Sequence, residues 1–423
     1  MRLAFIFILP SLVCARDIPV ADASAFRAAV AEAKPGDSLV LREGEWAGTK
    51  LVFKGHGTAE APITLRSAVP GKTVFTGASA LRMGGDYLVV EGLSFQNPDA
   101  SVGDTVEFRV DSKLHASHCR MTQCEIIQQP GKAAPSGKES RWIGIYGSAN
   151  RLDHCRVQGK TNKGATSVVW LKEGVKAEHR IDHNYFGPRE ALGKNGGETL
   201  RVGDSESSMQ VAACVVELNY FERCNGELEC ISNKSCGNLY RGNVFDAVSG
   251  TLTLRHGNRC LVESNFFIGR GEKGTGGIRI IGEDHTVRGN YLEGLRGDDA
   301  RSGLTFMLGI PESPASGYFQ AKRARVEGNT FVDCKHPITI GVTGKPGMTL
   351  PPLDCLFLKN IILGMKESRV VDARCDIAGI RWEGNVAWGK ELGLPTTDGI
   401  QWSVAKVDAA GPGLERKDAG PLW

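Results

Sequence analysis

A stretch in the middle of the chain, residues 195–256, concentrates side chains that can do acid–base chemistry. Glu227 and Glu229 stand two positions apart, so on a β-strand both carboxylates would point to one side. Lys234 follows, and Arg255 comes 21 residues after it. Taken singly, such residues usually lie on solvated faces. Their concentration on what should be neighbouring coils, close to the glycine-rich phrases NGGE and CNGE, favours a functional site.

Two neighbouring carboxylates repel each other unless a cation or a basic group lies between them. A carboxamide such as that of Asn195, from a preceding segment, would complete an all-oxygen set of donors. Hard oxygen ligands of this kind suit Ca²⁺. The residues therefore predict a calcium site formed by Asn195, Glu227 and Glu229.

The elements that must position these side chains are short repeated strands. From about residue 115, a phrase of alternating apolar residues, then Asn or Cys, then an aromatic or aliphatic residue returns ten times at spacings of 22 to 39 residues. Alternation at period two indicates strands, and self-similarity at this spacing indicates a solenoid. The pivots of the phrase are Cys119, Cys155, Asn184, Asn219, Asn243, Asn265, Asn290, Asn329, Asn360 and Asn385.

A leucine-rich repeat would need regularly placed Leu residues, which this phrase lacks. We therefore predict an all-β fold, a single-domain right-handed parallel β-helix over residues 16–423, in which the Asn pivots form a structural ladder. With a coil near 22 residues, Lys234 and Arg255 should lie side by side on adjacent coils. A helical pattern at 22–33 predicts an N-terminal capping helix, and 389–423 reads as a C-terminal tail or cap.

Residues 1–15 are typical of a signal peptide, with Arg2, an apolar centre and a small-residue end. We expect an exported chain, periplasmic or secreted. Val13 precedes Cys14 where a lipobox has Gly, Ala or Ser, so lipid anchoring is not expected. No later apolar run is long enough to span a membrane.

Composition narrows the choice further. The chain has 423 residues with 53 Gly, and 51 basic against 48 acidic side chains give a net charge of +3. This charge is too small to indicate a nucleic-acid partner. The 11 cysteines after Cys14 form no zinc pattern and are interpreted as buried packing residues.

The segment from about residue 182 to 291 resembles polysaccharide lyase family 6, the alginate lyase and chondroitinase B group. The resemblance rests on NGGE, NGELECISNKS, LRHGN and GGIRIIG, in this order and at these spacings. It implies a parallel β-helix, β-elimination of uronate-containing polysaccharides and a calcium ion in the cleft. It further implies that Lys234 is the Brønsted base and Arg255 the Brønsted acid, and that Asn195, Glu227 and Glu229 bind the calcium.

The resemblance also assigns residues around this pair. His256 and Arg279 match substrate-binding positions, and Glu198 and Arg201 lie in the matching NGGETLR motif and support the cleft. The chemistry is coherent, because a cation on the uronate carboxylate favours loss of the C5 proton. A lysine can accept that proton only if part of it is neutral, which nearby positive charge favours.

We expect a calcium-dependent alginate lyase whose partner is an acidic polysaccharide. A dermatan sulfate lyase of the chondroitinase B type would share the same fold and catalytic pair. Two further classes remain as alternatives: a polygalacturonase-type hydrolase, which would need paired Asp residues, and a non-catalytic polysaccharide-binding β-helix. The sequence leaves open the preference for mannuronate or guluronate, endo or exo action, and the oligomeric state.

Overall fold

The computed structural model describes residues 15–132, 138–404, 407 and 413–423. All but the last residue of the predicted signal peptide, Cys14 included, lies outside these described residues. Short strands pair in parallel with the equivalent strands of neighbouring coils and form three long sheets, here called A, B and C. The predicted right-handed parallel β-helix is confirmed.

Each full coil contributes one strand to each sheet in the order C, A, B. The strands of sheet A are Asp17–Val20, Ser38–Leu41, Ile63–Ser67, Leu88–Glu91, Arg120–Thr122, Arg151–Asp153, Arg180–Asp182, Val215–Glu217, Leu239–Arg241, Leu261–Glu263, Thr286–Arg288, Arg325–Glu327, Cys355–Leu358 and Ile380–Glu383. The strands of sheet B are Gly44–Ala47, Thr73–Thr76, Leu93–Gln96, Glu125–Ile127, Arg156–Gln158, Tyr185–Phe186, Tyr220–Glu222, Val244–Asp246, Phe266–Ile268, Tyr291–Glu293, Thr330–Cys334, Ile361–Gly364, Asn385–Trp388 and Ile400–Trp402. The strands of sheet C are Lys50–His56, Ala80–Asp86, Val106–Glu107, Ala116–Ser117, Ile143–Ile145, Ser167–Val169, Leu200–Gly203, Glu229–Lys234, Thr251–His256, Ile278–Ile280, Leu304–Met307, Ile338–Val342 and Val371–Ala373.

The helix begins at Ala23 and ends at Glu32, within the predicted 22–33. Asp22 caps it by accepting hydrogen bonds from the backbone N–H groups of Ser24 and Ala25. Its buried residues, Phe26 and Ala29, belong to the main core. The helix therefore covers the first coils and shields apolar groups that would otherwise face water. Three short 3₁₀ helices complete the regular elements, at Ala100–Val102, Asp299–Arg301 and Arg416–Asp418.

The Asn pivots form the predicted ladder at the turn between sheets A and B, and Cys155 lies at the same turn. Cys119 was wrongly aligned with them, because it precedes the sheet A strand and lies at the turn between sheets C and A. Asn265 shows the pattern: its Nδ2 donates to the Tyr240 carbonyl and to Asn290 Oδ1, and its Oδ1 accepts from the backbone N–H of Asn243. The ladder runs from Asn184 to Asn385, and its members are at most 1% exposed. Each amide satisfies backbone groups that water cannot reach, so these residues are structural.

A second polar ladder at the turn between sheets C and A was not foreseen. Asn150 Oδ1 accepts from the Cys119 N–H, and Nδ1 of His179 accepts from the Asn150 N–H at 3.1 Å. Nδ1 of His285 accepts from the Cys260 N–H in the same way. An imidazole can accept here only when it is neutral, and burial lowers the pKa of His179 to about 3 and of His285 to about 4.

The interior is apolar along its whole length. Four phenylalanines on consecutive strands of sheet B stack with ring centroids 4.5 to 4.9 Å apart: Phe186, Phe221, Phe245 and Phe267. The 11 cysteines of the described residues are free, and all except the half-buried Cys375 are buried, which confirms their interpretation as packing residues. No helix within the described ranges has the length and apolar character that a membrane crossing requires.

The described end of the chain, residues 413–423, returns to the outer face of sheet B. Leu414 and Ala419 are buried against Tyr185, Tyr220 and Val244. Farther on, the Trp423 indole N–H donates to the carbonyl of Gln123. This segment therefore lies along the side of the solenoid.

Candidate active site

The predicted site lies on the outer face of sheet C, across consecutive strands. A cavity of about 730 Å³ opens there. Asn195, Glu227, Glu229 and Arg279 line it, so the predicted calcium donors meet in one place. Lys234, Arg255 and His256 do not line the cavity; they lie at the ends of the strands Glu229–Lys234 and Thr251–His256.

Two details differ from the expected geometry. Glu227 precedes the strand that begins at Glu229, so the two carboxylates are not a pair within one strand. Lys234 is also not opposite Arg255: Asn233 pairs with Leu254 and Lys234 with His256, so Arg255 is an extra residue in its strand. Such a β-bulge re-aims side chains and is common beside active sites. A count of residues per coil cannot reveal it.

Lys234 lies half-buried, and its ammonium makes no hydrogen bond or ion pair with any residue that the structure describes. Arg255, by contrast, is 9% exposed and firmly held. Its Nη1 donates to the Gly317 carbonyl at 2.6 Å, its Nη2 to the Ser316 carbonyl at 3.3 Å, and its guanidinium lies 4.0 Å from the Tyr318 ring centroid. Burial lowers the pKa of Arg255, which makes it a better proton donor than an exposed arginine.

His256 is buried beside this pair. Its Nε2 lies 3.2 Å from Ser205 Oγ and its Nδ1 lies 3.3 Å from Arg255 Nη1. Burial, with help from the positive charges of Arg255 and Lys234, lowers the pKa of His256 to about 3. The imidazole is therefore neutral near neutral pH and contributes hydrogen bonding without charge.

Glu229 is bound by cationic and hydroxyl groups. Its Oε1 accepts from Arg279 Nη2 at 2.5 Å and lies 3.9 Å from Arg255 Nε, and its Oε2 accepts from the Ser232 hydroxyl. Arg279 is 2% exposed. This ion pair fixes the orientation of Arg279 and links the cavity to Arg255.

Glu227 and Glu198 are neighbouring carboxyl groups that have few hydrogen-bond partners among the described residues. Glu227 Oε2 accepts from the Gly196 N–H at 3.0 Å, yet burial and the charges of Glu198 and Glu229 raise the pKa of Glu227 to about 7. Oε2 of Glu198 is buried and has no hydrogen-bond partner among the described residues.

A bound cation would offset the repulsion between the carboxylates of Glu227 and Glu198. No cluster of three or more His, Cys, Asp or Glu side chains in the described ranges is arranged to hold a metal ion. A fitting set therefore depends on amide as well as carboxylate oxygens, and the exposed carboxamide of Asn195 lines the same cavity. With this mixture of donors, the residues present fit a hard cation such as Ca²⁺.

The glycines of the two motifs explain how the carboxylates come together. A Cβ on Gly197 would lie 2.3 Å from the Gly226 carbonyl oxygen, and a Cβ on Gly226 would lie 2.1 Å from the Gly197 carbonyl oxygen. Only glycine allows the two backbones to approach this closely. The NGGE and NGE phrases therefore set the distance between the loops that carry Glu198 and Glu227.

Neither Tyr318 nor Arg301 was among the site residues predicted from the sequence. Both line the cavity. The guanidinium of Arg301 makes no hydrogen bond or ion pair with any described residue, and burial together with Arg279 lowers its pKa. Tyr318 lies in the loop 311–322, which the sequence marks only as an interruption of the repeat, so no local signal pointed to it. Arg201 lies on the outer face of sheet C, outside the cavity.

Comparisons with known proteins agree with this picture. The chondroitinase B family model matches residues 20–348. Among solved structures, the PL6 family alginate lyase AlyGC is 40% identical with a TM-score of 0.90, covering 96% of this chain but 56% of that protein. The chain thus spans a little over half the length of that relative.

Two further structures are similar over nearly their whole length. A mannuronic acid specific polysaccharide family 6 lyase from human gut microbiota is 31% identical, with a TM-score of 0.85 and 96% of both chains covered. A PL6 family polysaccharide lyase from Pseudopedobacter saltans is 25% identical, with a TM-score of 0.79, covering 96% of this chain and 99% of that one. No curated protein sequence matches the chain.

Proposed function

Since the chain belongs to polysaccharide lyase family 6, the alginate lyase and chondroitinase B group, we propose that it is an exported lyase that cleaves alginate by β-elimination. The observation that carries this proposal is a pair of residues on adjacent strands of sheet C. Lys234 has no partner among the described residues, and Arg255 is buried and firmly held. The cavity beside them supplies further cations, Arg279 and Arg301, for an anionic sugar. The predicted signal peptide at residues 1–15 supports export.

The neutral form of Lys234 takes the C5 proton of the uronate. The electron pair of the C5–H bond becomes the C4=C5 double bond while the C4–O4 bond breaks. The pair of that bond leaves on O4, which then accepts a proton. Arg255 stabilises the charge on O4 by hydrogen bonding, and its lowered pKa favours its action as the donor, directly or through water.

The other residues position the sugar. His256, neutral and buried, offers hydrogen bonding without competing for the proton. Arg279 and Arg301 can pair with uronate carboxylates, which suit the planar guanidinium. Asn195, Glu227 and Glu229, with Glu198, are the proposed calcium ligands, and calcium there would neutralise the uronate carboxylate and make the C5 proton more acidic.

A dermatan sulfate lyase is the second candidate, because the matching family model is that of chondroitinase B. The alginate lyases among the similar structures favour alginate. A polygalacturonase-type hydrolase is less consistent with the site, since none of the described residues lining the cavity is Asp.

The test is incubation of the mature protein with alginate and, separately, with dermatan sulfate, with and without a calcium chelator. Ultraviolet absorbance follows the 4,5-unsaturated product. We expect an absorbance rise on alginate that the chelator abolishes and added calcium restores. A rise only on dermatan sulfate would identify that polymer, and not alginate, as the substrate. No rise on either polymer would refute the lyase proposal.

A further inference from the structure

A row of equivalent positions on sheet C extends from the proposed base toward the N-terminal coils. Ile145 pairs with Val169, and Val169 pairs with Val202. The next residues along these strands are Tyr146, Trp170 and Gly203, and Gly203 pairs with Lys234. Tyr146, Trp170, Gly203 and Lys234 therefore occupy the same position on four consecutive coils.

Tyr146 and Trp170, here called the aromatic platform, are half-buried and stack with ring centroids 6.0 Å apart at an interplanar angle of 16°. Three guanidinium groups surround the platform. Arg109 lies 3.9 Å from the Tyr146 ring centroid, and Arg141 and Arg201 lie 5.1 and 5.0 Å from that of Trp170. The platform thus combines apolar rings with positive charge on the same face as the proposed active site.

The three arginines differ in their partners. Arg109 is paired with Glu107, and Arg141 with Glu139 and Asp104. Arg201 makes no hydrogen bond or ion pair within the described ranges, and its buried Nε lacks a partner. The buried indole N–H of Trp170 also lacks one among these residues. The Arg201 guanidinium, half-buried beside Trp170, therefore has no competing partner within these ranges.

Gly203 leaves a gap between the platform and the proposed base. Because it has no side chain, nothing in this row stands between Trp170 and Lys234. Trp170 is two strand spacings from Lys234, or about 10 Å. A polysaccharide that runs along the row from Lys234 therefore meets the tryptophan within its next sugars.

We propose that the aromatic platform and Arg201 form a binding subsite for a uronate residue of the polymer, outside the catalytic centre. A pyranose ring packs its C–H groups against Trp170 above Gly203, and Arg201 binds its carboxylate. The assignment of an alginate-type ligand rests on the proposed function. The platform and its arginines themselves require a ligand that has both a sugar ring and a negative charge.

The test measures binding in the Lys234→Ala background, so that the polymer is not consumed. Native gels containing alginate retard a protein that binds it. We expect strong retardation of Lys234→Ala and about tenfold weaker affinity when Trp170→Ala or Arg201→Gln is added. Trp402→Ala, which removes a 41%-exposed tryptophan from sheet B, is the matched control and should leave retardation unchanged. Gels with hydroxyethyl cellulose, a neutral polymer, should retard none of the variants.

Steady-state kinetics of variants that keep Lys234 give a second measurement. With Lys234 intact, Trp170→Ala should raise KM for alginate about tenfold with little change in kcat. Circular dichroism checks that each variant folds. Trp170→Phe, which keeps an aromatic ring, should have a KM between those of the unsubstituted protein and Trp170→Ala. If Trp170→Ala does not fold, Arg201→Gln provides the test. Unchanged retardation and KM in Trp170→Ala and Arg201→Gln would overturn the subsite. If retardation depends on Trp170 but the protein with Lys234 intact has no lyase activity, the subsite is kept and the proposed function is refuted.

Discussion

Arg255 illustrates how much of the site depends on residues far away in the chain. Two backbone carbonyls of the loop 311–322 and the Tyr318 ring hold its guanidinium, and Glu229 lies 3.9 Å from its Nε. The sequence motif LRHGN indicated Arg255 and His256, but nothing in it shows the loop that buries them. Burial and these contacts fix the orientation of the guanidinium that we propose as the proton donor.

Lys234→Ala should lower kcat on alginate by a factor of about 10²–10⁴, because the neutral amine is the proposed base. The protein should fold normally, since the ammonium bonds to none of the described residues. Initial rates of absorbance increase measure the effect. Lys366→Ala, which removes an exposed lysine that does not line the cavity, is the control and should retain full activity. Equal rates for both variants would remove Lys234 from the base role.

At the scale of elements, the repeat in the sequence was enough to predict the coils and the Asn ladder. The spacing of the pivots carries this information because each coil must place one amide at the same turn. The spacing of the pivots could not predict two features. The bulge at Arg255 changes the register by one residue within a strand. The second ladder mixes Asn, His and Cys, so no single residue type marks it.

The second ladder makes stability depend on pH. His179 has a folded pKa of about 3, below the ordinary value of 6.5, so above about pH 6.5 its contribution is complete. As the pH falls toward 3, the unfolded chain takes up a proton that the folded chain resists, and stability is lost at ~1.4 kcal/mol per pH unit. Urea unfolding should therefore give a lower free energy of unfolding at about pH 4.5 than at about pH 7.5.

His179→Asn should reduce this loss, because Asn150 and Asn238 fill equivalent places with a carboxamide that does not titrate. His285 would still contribute, so part of the pH dependence remains. The control is His118→Asn, which changes an exposed histidine and should leave the dependence as it is. The same loss in His179→Asn and in the unsubstituted protein would contradict the role given to this ladder.

Across the whole molecule, the three sheets have different roles. Sheet C carries the site, the Asn ladder joins A to B, and the outer face of B receives the segment 413–423. The sequence predicted only a tail or cap over 389–423, because residues with no repeat give no sign of which distant surface they contact. Tyr185 and Tyr220, the surface that the segment covers, were visible in the sequence only as part of the repeat.

Leu414→Ala should destabilise the protein by about 2 kcal/mol, since Leu414 is buried against Tyr185, Tyr220 and Val244. Activity on alginate at low temperature should not change, because the contact lies on sheet B and the site on sheet C. Thermal unfolding followed by circular dichroism, together with initial rates, measures both quantities. Leu422→Ala, at an exposed position of the same segment, should have little effect on either. A loss of activity without a loss of stability would contradict this separation of faces.

The masses of products formed in ¹⁸O-labelled water distinguish elimination from hydrolysis of the polymer. Elimination breaks the C4–O4 bond without adding water. Alginate cut by the protein should therefore give unsaturated products that carry no ¹⁸O from the bond cleavage. Saturated products with one ¹⁸O atom per cleaved bond, at the new reducing end, would show hydrolysis and contradict the roles proposed for Lys234 and Arg255.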